Sequence, residues 1–121
     1  MLAVPASVGV LRDLAERRLA RWGAAREFID DATLVLSELV TNSVDACRGT
    51  GLLFAMYAQS GTLVIEVHDT SPERPVQRAA GEHDIRGRGL TIVGALAESW
   101  GVRQSENGRK CTWARLTVST P

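Results

Sequence analysis

The segment Ile29–Cys47, IDDATLVLSELVTNSVDAC, constrains the fold more than any other. Ala32, Val35, Leu36, Leu39, Val40 and Ala46 recur at helical spacing and form one continuous apolar arc. Such a helix has to bury that arc against a sheet or other helices. Beside the arc, at about 100° per residue, Glu38, Asn42 and Asp45 fall within about 60° of one another, and Asp31 and Leu34 continue their stripe. Thr33, Ser37, Thr41 and Val44 fill the remaining side, and no Lys or Arg occurs between Arg26 and Arg48. An ordinary solvent face mixes charges and uses long side chains. This stripe concentrates acid and amide instead. A face that is acidic by composition alone accounts for it about as well as a site for a hydrated divalent cation. Mg²⁺ takes oxygen ligands, keeps several waters and is usually shared with substrate phosphates. Asn42 offers a neutral oxygen ligand, and Glu38, one turn earlier, is placed to orient or deprotonate a nucleophile.

The rest of the chain supplies what the helix packs against. Residues 7–22 read as a first helix, with Val10, Leu11, Leu14 and Leu19 on one face and Gly23 ending it. After a turn at 48–51, two strand-like runs, Leu52–Gln59 and Thr62–Asp69, are joined by Ser60–Gly61. Residues 70–88 are rich in proline, glycine and charge and read as one long loop. A third helix is predicted from near Gly89 to about Trp100. A hairpin follows, about Gly101–Ser105 and Lys110–Val118, around a turn at Asn107–Gly108. There is no internal repeat. The order α, α, β, β, loop, α, β, β predicts an α+β fold. It is a two-layer α/β sandwich, its mostly antiparallel sheet covered on one face by about three helices.

With 121 residues the chain fits a single domain, 1–121, and 45% apolar content excludes disorder. Fourteen basic and fourteen acidic residues cancel, which gives no global reason to expect nucleic-acid or membrane binding. No apolar run approaches the roughly 20 residues of a membrane span. The first residues carry a proline and then charges rather than a signal-peptide core, so the cytoplasm is the expected location. Cys47 and Cys111 lack CxxC spacing, and with His68 and His83 they complete no zinc pattern. Both cysteines are expected to be small buried hydrophobes and His68 an exposed strand residue.

In TLVIEVHD, Leu63, Ile65, Val67 and Asp69 share one strand face, while Val64, Glu66 and His68 share a wetter one. Asp69 therefore continues the buried side and needs donors, which a purine exocyclic amine can supply. A strand-end Asp that opens a turn fits the same residues. In KCTWARLTV, Thr112, Ala114, Leu116 and Val118 alternate inward, so Thr112 faces the same interior. RGRGLTIVGALAESW places Gly87 and Gly89 at the start of the third helix, where free N–H groups and the helix dipole favour phosphate. Arg74, Arg78, Arg86 and Arg88 lie in or beside the loop. There is no GxxxxGK[ST], and the strand–turn context of a dinucleotide fingerprint is missing.

Taken in order, these features resemble the GHKL ATP-binding superfamily, which includes histidine-kinase catalytic domains, Hsp90-like chaperones, gyrase-type ATPases and anti-sigma-factor serine kinases. SELVTNSVDA is similar to its N box, VHDTSP stands where its G1 box begins, and GRGLTIV resembles its G2 box. The small anti-sigma-factor kinase-like branch is the nearest, and the resemblance spans about residues 7–118. It implies the Bergerat fold with ATP and Mg²⁺ as cofactors. Asn42 would ligate the metal, Glu38 would be the general base, and Asp45 would help shape the pocket. Asp69 would accept from the adenine amino group with support from Thr112. Arg86, Gly87, Arg88, Gly89 and Leu90 would form the phosphate end beneath an ATP lid at about 70–88. Two departures stand out. The G1 box usually reads Asp-x-Gly-x-Gly, and here it is Asp69–Thr70–Ser71–Pro72. The family also usually starts with a strand, for which residues 1–4 are few.

Two functions fit the resemblance. One is an ATP-dependent serine/threonine kinase of the anti-sigma-factor type, with a sigma factor and a small anti-sigma-factor antagonist as protein partners and a homodimer as an assembly common in the group. The other is a non-catalytic ATP/ADP-binding partner-switching module. Retention of Glu38 favours the first and the missing G1 glycines the second. A structural interaction domain without nucleotide is the remaining reading.

Overall fold

The computed structural model describes residues 1–70, 85–104 and 108–118, with side chains for all of these except 85–89. Among the described residues the order is α1 (Pro5–Arg21), α2 (Arg26–Cys47), β1 (Leu53–Gln59), β2 (Thr62–Asp69), α3 (Ile85–Leu96), β3 (Ser99–Gln104) and β4 (Lys110–Thr117). Pro5 opens α1 where its missing N–H has no helical partner to lose, and Gly23, at φ 81°, follows its last turn. Arg26 starts α2 earlier than the apolar arc does. Its guanidinium reaches Asp30 at 2.7 Å, one turn along, and Glu16 of α1 at 3.0 Å.

The strands form one antiparallel sheet in the order β1-β2-β4-β3. Ser60 and Gly61 both have positive φ, 51° and 77°, as a two-residue turn matched to strand twist requires. The register pairs Leu63 with Leu116, Ile65 with Ala114, Val67 with Thr112 and Asp69 with Lys110, so these residues share one face. The helices lie on that face: α2 packs on β2, β4, α1 and α3, and α3 also meets β3. Val35, Leu36, Leu39 and Val40 of α2 meet Leu63, Ile65 and Val67 of β2 in a fully buried core. Each such side chain contributes about 1.5–3 kcal/mol. The expected two-layer α+β sandwich is the observed one.

Four details differ from expectation. On α1 the inward residues are Ser7, Leu11, Ala15 and Leu19, while Val10 and Leu14 are 47% and 53% exposed. A helix that buries only a four-residue ridge against one neighbour leaves the flanks of its apolar face in water. The third helix starts at Ile85 and ends at Leu96, before Trp100. Glu98 N–H donates to Arg115 O at 2.7 Å and β3 pairs with β4 from Ser99, so sheet pairing claims residues whose propensity favours helix. Residues 85–88, assigned to the loop from sequence, are thus helical. Finally, the short N-terminal segment does pair. Leu2 bridges Gly51, Ala3 N–H donates to Thr50 O at 2.8 Å, and Gly49 N–H donates to Ala3 O at 2.9 Å. Among the described residues no helix is long and apolar enough to cross a membrane.

Candidate functional site

The acidic stripe of α2 divides by depth. Glu38 is half-buried, and burial pushes its carboxyl above the usual range. Asn42 is buried, and among the described residues its Nδ2 has no hydrogen-bond partner. An unsatisfied buried amide costs about 1–3 kcal/mol, so it marks a place where a ligand has something to supply. Asp45, one turn further, is exposed.

The end of β2 meets this stripe directly. Asp69 is 0% exposed. Ser43, the residue after Asn42, donates its hydroxyl to Asp69 Oδ2 at 2.5 Å. Lys110, 4% exposed, places its Nζ 3.7 Å from Asp69 Oδ1. The carboxylate therefore points inward and joins α2, β2 and β4 at one spot. Thr112 is buried on the same sheet face, one inward position along β4 from Lys110. Leu90 is 0% exposed, which makes it a packing residue of α3 with no side-chain surface left for a ligand. Gly87 lies in the first turn of α3 and Gly89 just beyond it, within the helix rather than before it. The side chains of Arg86 and Arg88, the loop residues Ser71, Pro72, Arg74, Arg78 and His83, and Asn107 lie outside the described residues.

Sequence reasoning missed Ser43 and Lys110. Lys110 was within reach, because the alternation Thr112, Ala114, Leu116 extended one step back puts it inward beside Asp69. Ser43 carried no such signal: small polar residues along a helix more often satisfy their own backbone, as Thr33 does with Ile29 O and Ser37 with Thr33 O.

The opposite sheet face carries a second polar group. Glu66 accepts from Tyr57 Oη at 2.8 Å and from Arg103 Nη2 at 3.2 Å, both on Oε2, while its Oε1 lies 3.0 Å from His68 Nε2. Burial works to raise the Glu66 carboxyl, but the contacts with His68, Tyr57 and Arg103 outweigh it and hold it below the usual range. His68 is not the exposed strand residue expected: its side chain is 18% exposed and engaged by Glu66. Cys111 is buried as expected. Burial first, then Glu66 and Asp69, push its thiol up to about 11, against a lowering by Arg103.

The side chains on the helix side, an amide and carboxylates without sulfur or imidazole, fit the oxygen preference of Mg²⁺, while the unpartnered Asn42 Nδ2 is an N–H donor that calls for an acceptor oxygen of a ligand. The family model for the histidine kinase-like ATPase domain matches residues 1–117. No curated protein matches the chain. The solved structure of the RsbU and RsbW domains of Rv1364c from Mycobacterium tuberculosis superposes with a TM-score of 0.76 at 20% identity, over 100% of this chain and 32% of that one. Full-length ShkA in complex with AMPPNP gives 0.59 at 22% identity, over 77% of this chain and 22% of the other. The histidine kinase AdeS of Acinetobacter baumannii gives 0.52 at 18%, over 74% and 46%. The chain thus spans less than half the length of each, and the likeness is one of fold.

Proposed function

The chain belongs to the histidine kinase-like ATPase domain family, and from that premise we propose that it binds ATP between α2, the end of β2 and the start of α3. We further propose that it acts as a serine/threonine kinase of the anti-sigma-factor type on a small protein antagonist. The observation that carries the reading is the Ser43–Asp69 hydrogen bond at 2.5 Å, which sets the stripe of Glu38 and Asn42 beside a fully buried carboxylate. In this reading Asp69 accepts from the adenine amino group and Thr112 supports that contact. Asn42 would hold a Mg²⁺ ion through its amide oxygen, with Asp45 at the rim. That ion would supply neutralisation of phosphate charge. Glu38 takes the proton of the acceptor hydroxyl, and its burial-raised carboxyl suits a base that must be basic enough to accept it. The free N–H groups of the first turn of α3, that of Gly87 among them, would face the phosphates, with Gly89 allowing their close approach and Arg86 and Arg88 offering charge.

A second reading, ATP or ADP binding without turnover, is favoured by one observation. Asp69 already holds Ser43 and Lys110, so a nucleotide gains less from it than from a carboxylate without partners.

Calorimetric titration with ATP and ADP, with and without Mg²⁺, tests both. Wild type should bind with an affinity that rises with Mg²⁺, and Asp69→Asn should lose at least about tenfold. A folded wild type that binds neither nucleotide overturns both readings. Binding without ATP consumption in the presence of a candidate acceptor protein leaves only the second.

A further inference from the structure

On the sheet face away from the helices, a metal site is written in the register rather than in the sequence spacing. His68 and Cys111 are direct cross-strand partners on β2 and β4, and Glu66 stands two residues along β2 on the same face. Their ligand atoms, a carboxylate oxygen, an imidazole nitrogen and a thiol sulfur, lie within 4.8 Å of one another, with His68 Nε2 3.0 Å from Glu66 Oε1. Glu66 and Cys111 are 7% and 1% exposed. We propose that Glu66, His68 and Cys111 form a binding site for one Zn²⁺ ion, with solvent at the fourth position.

The chemistry selects the metal. A thiolate and an imidazole reject Mg²⁺ and Ca²⁺ and suit zinc, whose structural and catalytic sites mix S, N and O ligands. Zinc–ligand bonds of about 2.0–2.3 Å in a tetrahedron put neighbouring ligands roughly 3.3–3.8 Å apart. The present spacing, 3.0 Å between His68 Nε2 and Glu66 Oε1 and no more than 4.8 Å for any pair, brackets that range. The carboxylate is already divided between two tasks. Oε2 is held by Tyr57 and Arg103, while Oε1 faces His68. Such outer partners fix the orientation of a ligating carboxylate. Glu66 and the Cys111 thiolate together balance the two charges of the ion, and binding displaces the thiol proton into solvent. Cys47, on α2, belongs to the other side of the molecule and takes no part.

The test uses the full chain without any histidine tag, stripped with chelator and titrated with Zn²⁺ against a chromophoric competitor. One equivalent should bind. His68→Ala and Cys111→Ser should each weaken binding by about 100-fold or more, while Cys47→Ser should leave it unchanged. Co²⁺ should give the thiolate-to-metal charge-transfer absorption and intense visible bands of a tetrahedral site, both lost in Cys111→Ser. Because the cobalt spectrum is read on wild type, a variant that fails to fold does not spoil the test. Absence of stoichiometric zinc, a cobalt spectrum without a thiolate band, or a band that survives Cys111→Ser overturns the proposal.

Discussion

His68 and Asp69 are neighbours in sequence that point to opposite faces of β2, and across from them Cys111 and Lys110 do the same on β4. Each face therefore receives a polar cluster from the same two stretches of chain, but the clusters are buried by different means. Beneath the helices, Asp69 and Lys110 are sealed by α2 and the core, with Nζ 3.7 Å from Oδ1. On the other face, among the described residues, no helix packs. Glu66 is shielded by side chains of its own sheet, and its cationic partner Arg103 is 56% exposed. The first arrangement should be costly to disturb and suited to gripping a ligand. The second should be softer, because water screens part of it.

The largest expected contrast is in activity. Glu38→Gln should reduce ATP-dependent transfer by about 10²- to 10⁴-fold while preserving nucleotide binding. Arg115→Ala, an exposed change on the bare face, should leave transfer within about twofold. The same Glu38 variant should be no less stable than wild type at neutral pH. An acid raised by burial favours the protonated folded state, so its ionised form opposes folding at every pH above its folded value. A radiolabel transfer assay with urea denaturation of the same samples checks both halves, and equal transfer by Glu38→Gln removes its role as base.

Stability gives the next contrast. Lys110→Met removes the ammonium beside the buried Asp69 carboxylate, and Asp69→Ala removes the carboxylate beside the buried Lys110 ammonium. Each should cost about 3–5 kcal/mol by urea denaturation, and the double variant Asp69→Leu/Lys110→Met should cost less than the sum. If both single changes cost under about 1 kcal/mol, the sealed face is no more demanding than the open one. On the bare face the matching probe is Gly101→Ala. A Cβ there would stand 2.8 Å from Cζ2 of Trp113, whose ring lies across the glycine. The ring or the strand has to move, at about 1–3 kcal/mol. At Gly51, where the same addition meets nothing within 4 Å, the cost should stay near zero.

The same division explains what was legible in the sequence. The α2 arc, the two hairpins and the inward direction of Asp69 followed from periodicity, because side-chain spacing and burial are locked together at 3.6 and 2 residues. The boundaries of α3 were not legible. Its end is set by β3 pairing with β4, a contact between segments that no local pattern announces. Likewise Val10 and Leu14 match a helical apolar face but lie beyond the narrow ridge that α1 buries. Of the site, Glu38 and Asn42 could be named from the stripe on one helix. Ser43 reaches Asp69 across 26 positions and Cys111 reaches His68 through strand register, and such partners exist only once the sheet is assembled.

The smallest effect tests whether the open face contributes electrostatically at all. The Glu66 carboxyl is held below its usual value, so the unfolded chain takes up a proton at higher pH than the folded one does. The stability it contributes is therefore present above the unfolded value, about pH 4.3, and is lost as pH falls through the lower folded value. Glu66→Gln keeps the shape and removes the titration. In metal-free protein at moderate salt it should be about 1 kcal/mol less stable than wild type at pH 7. The gap should narrow as pH falls below the unfolded value and close once pH is below the lower folded one. Added salt should shrink the gap, because Arg103 faces water, whereas salt should leave the loss in Lys110→Met almost unchanged, because that pair is shielded from ions. A Glu66→Gln deficit that persists undiminished at pH 3 would mean that hydrogen-bond geometry, not charge, holds this face together. The two clusters would then differ in depth but not in kind.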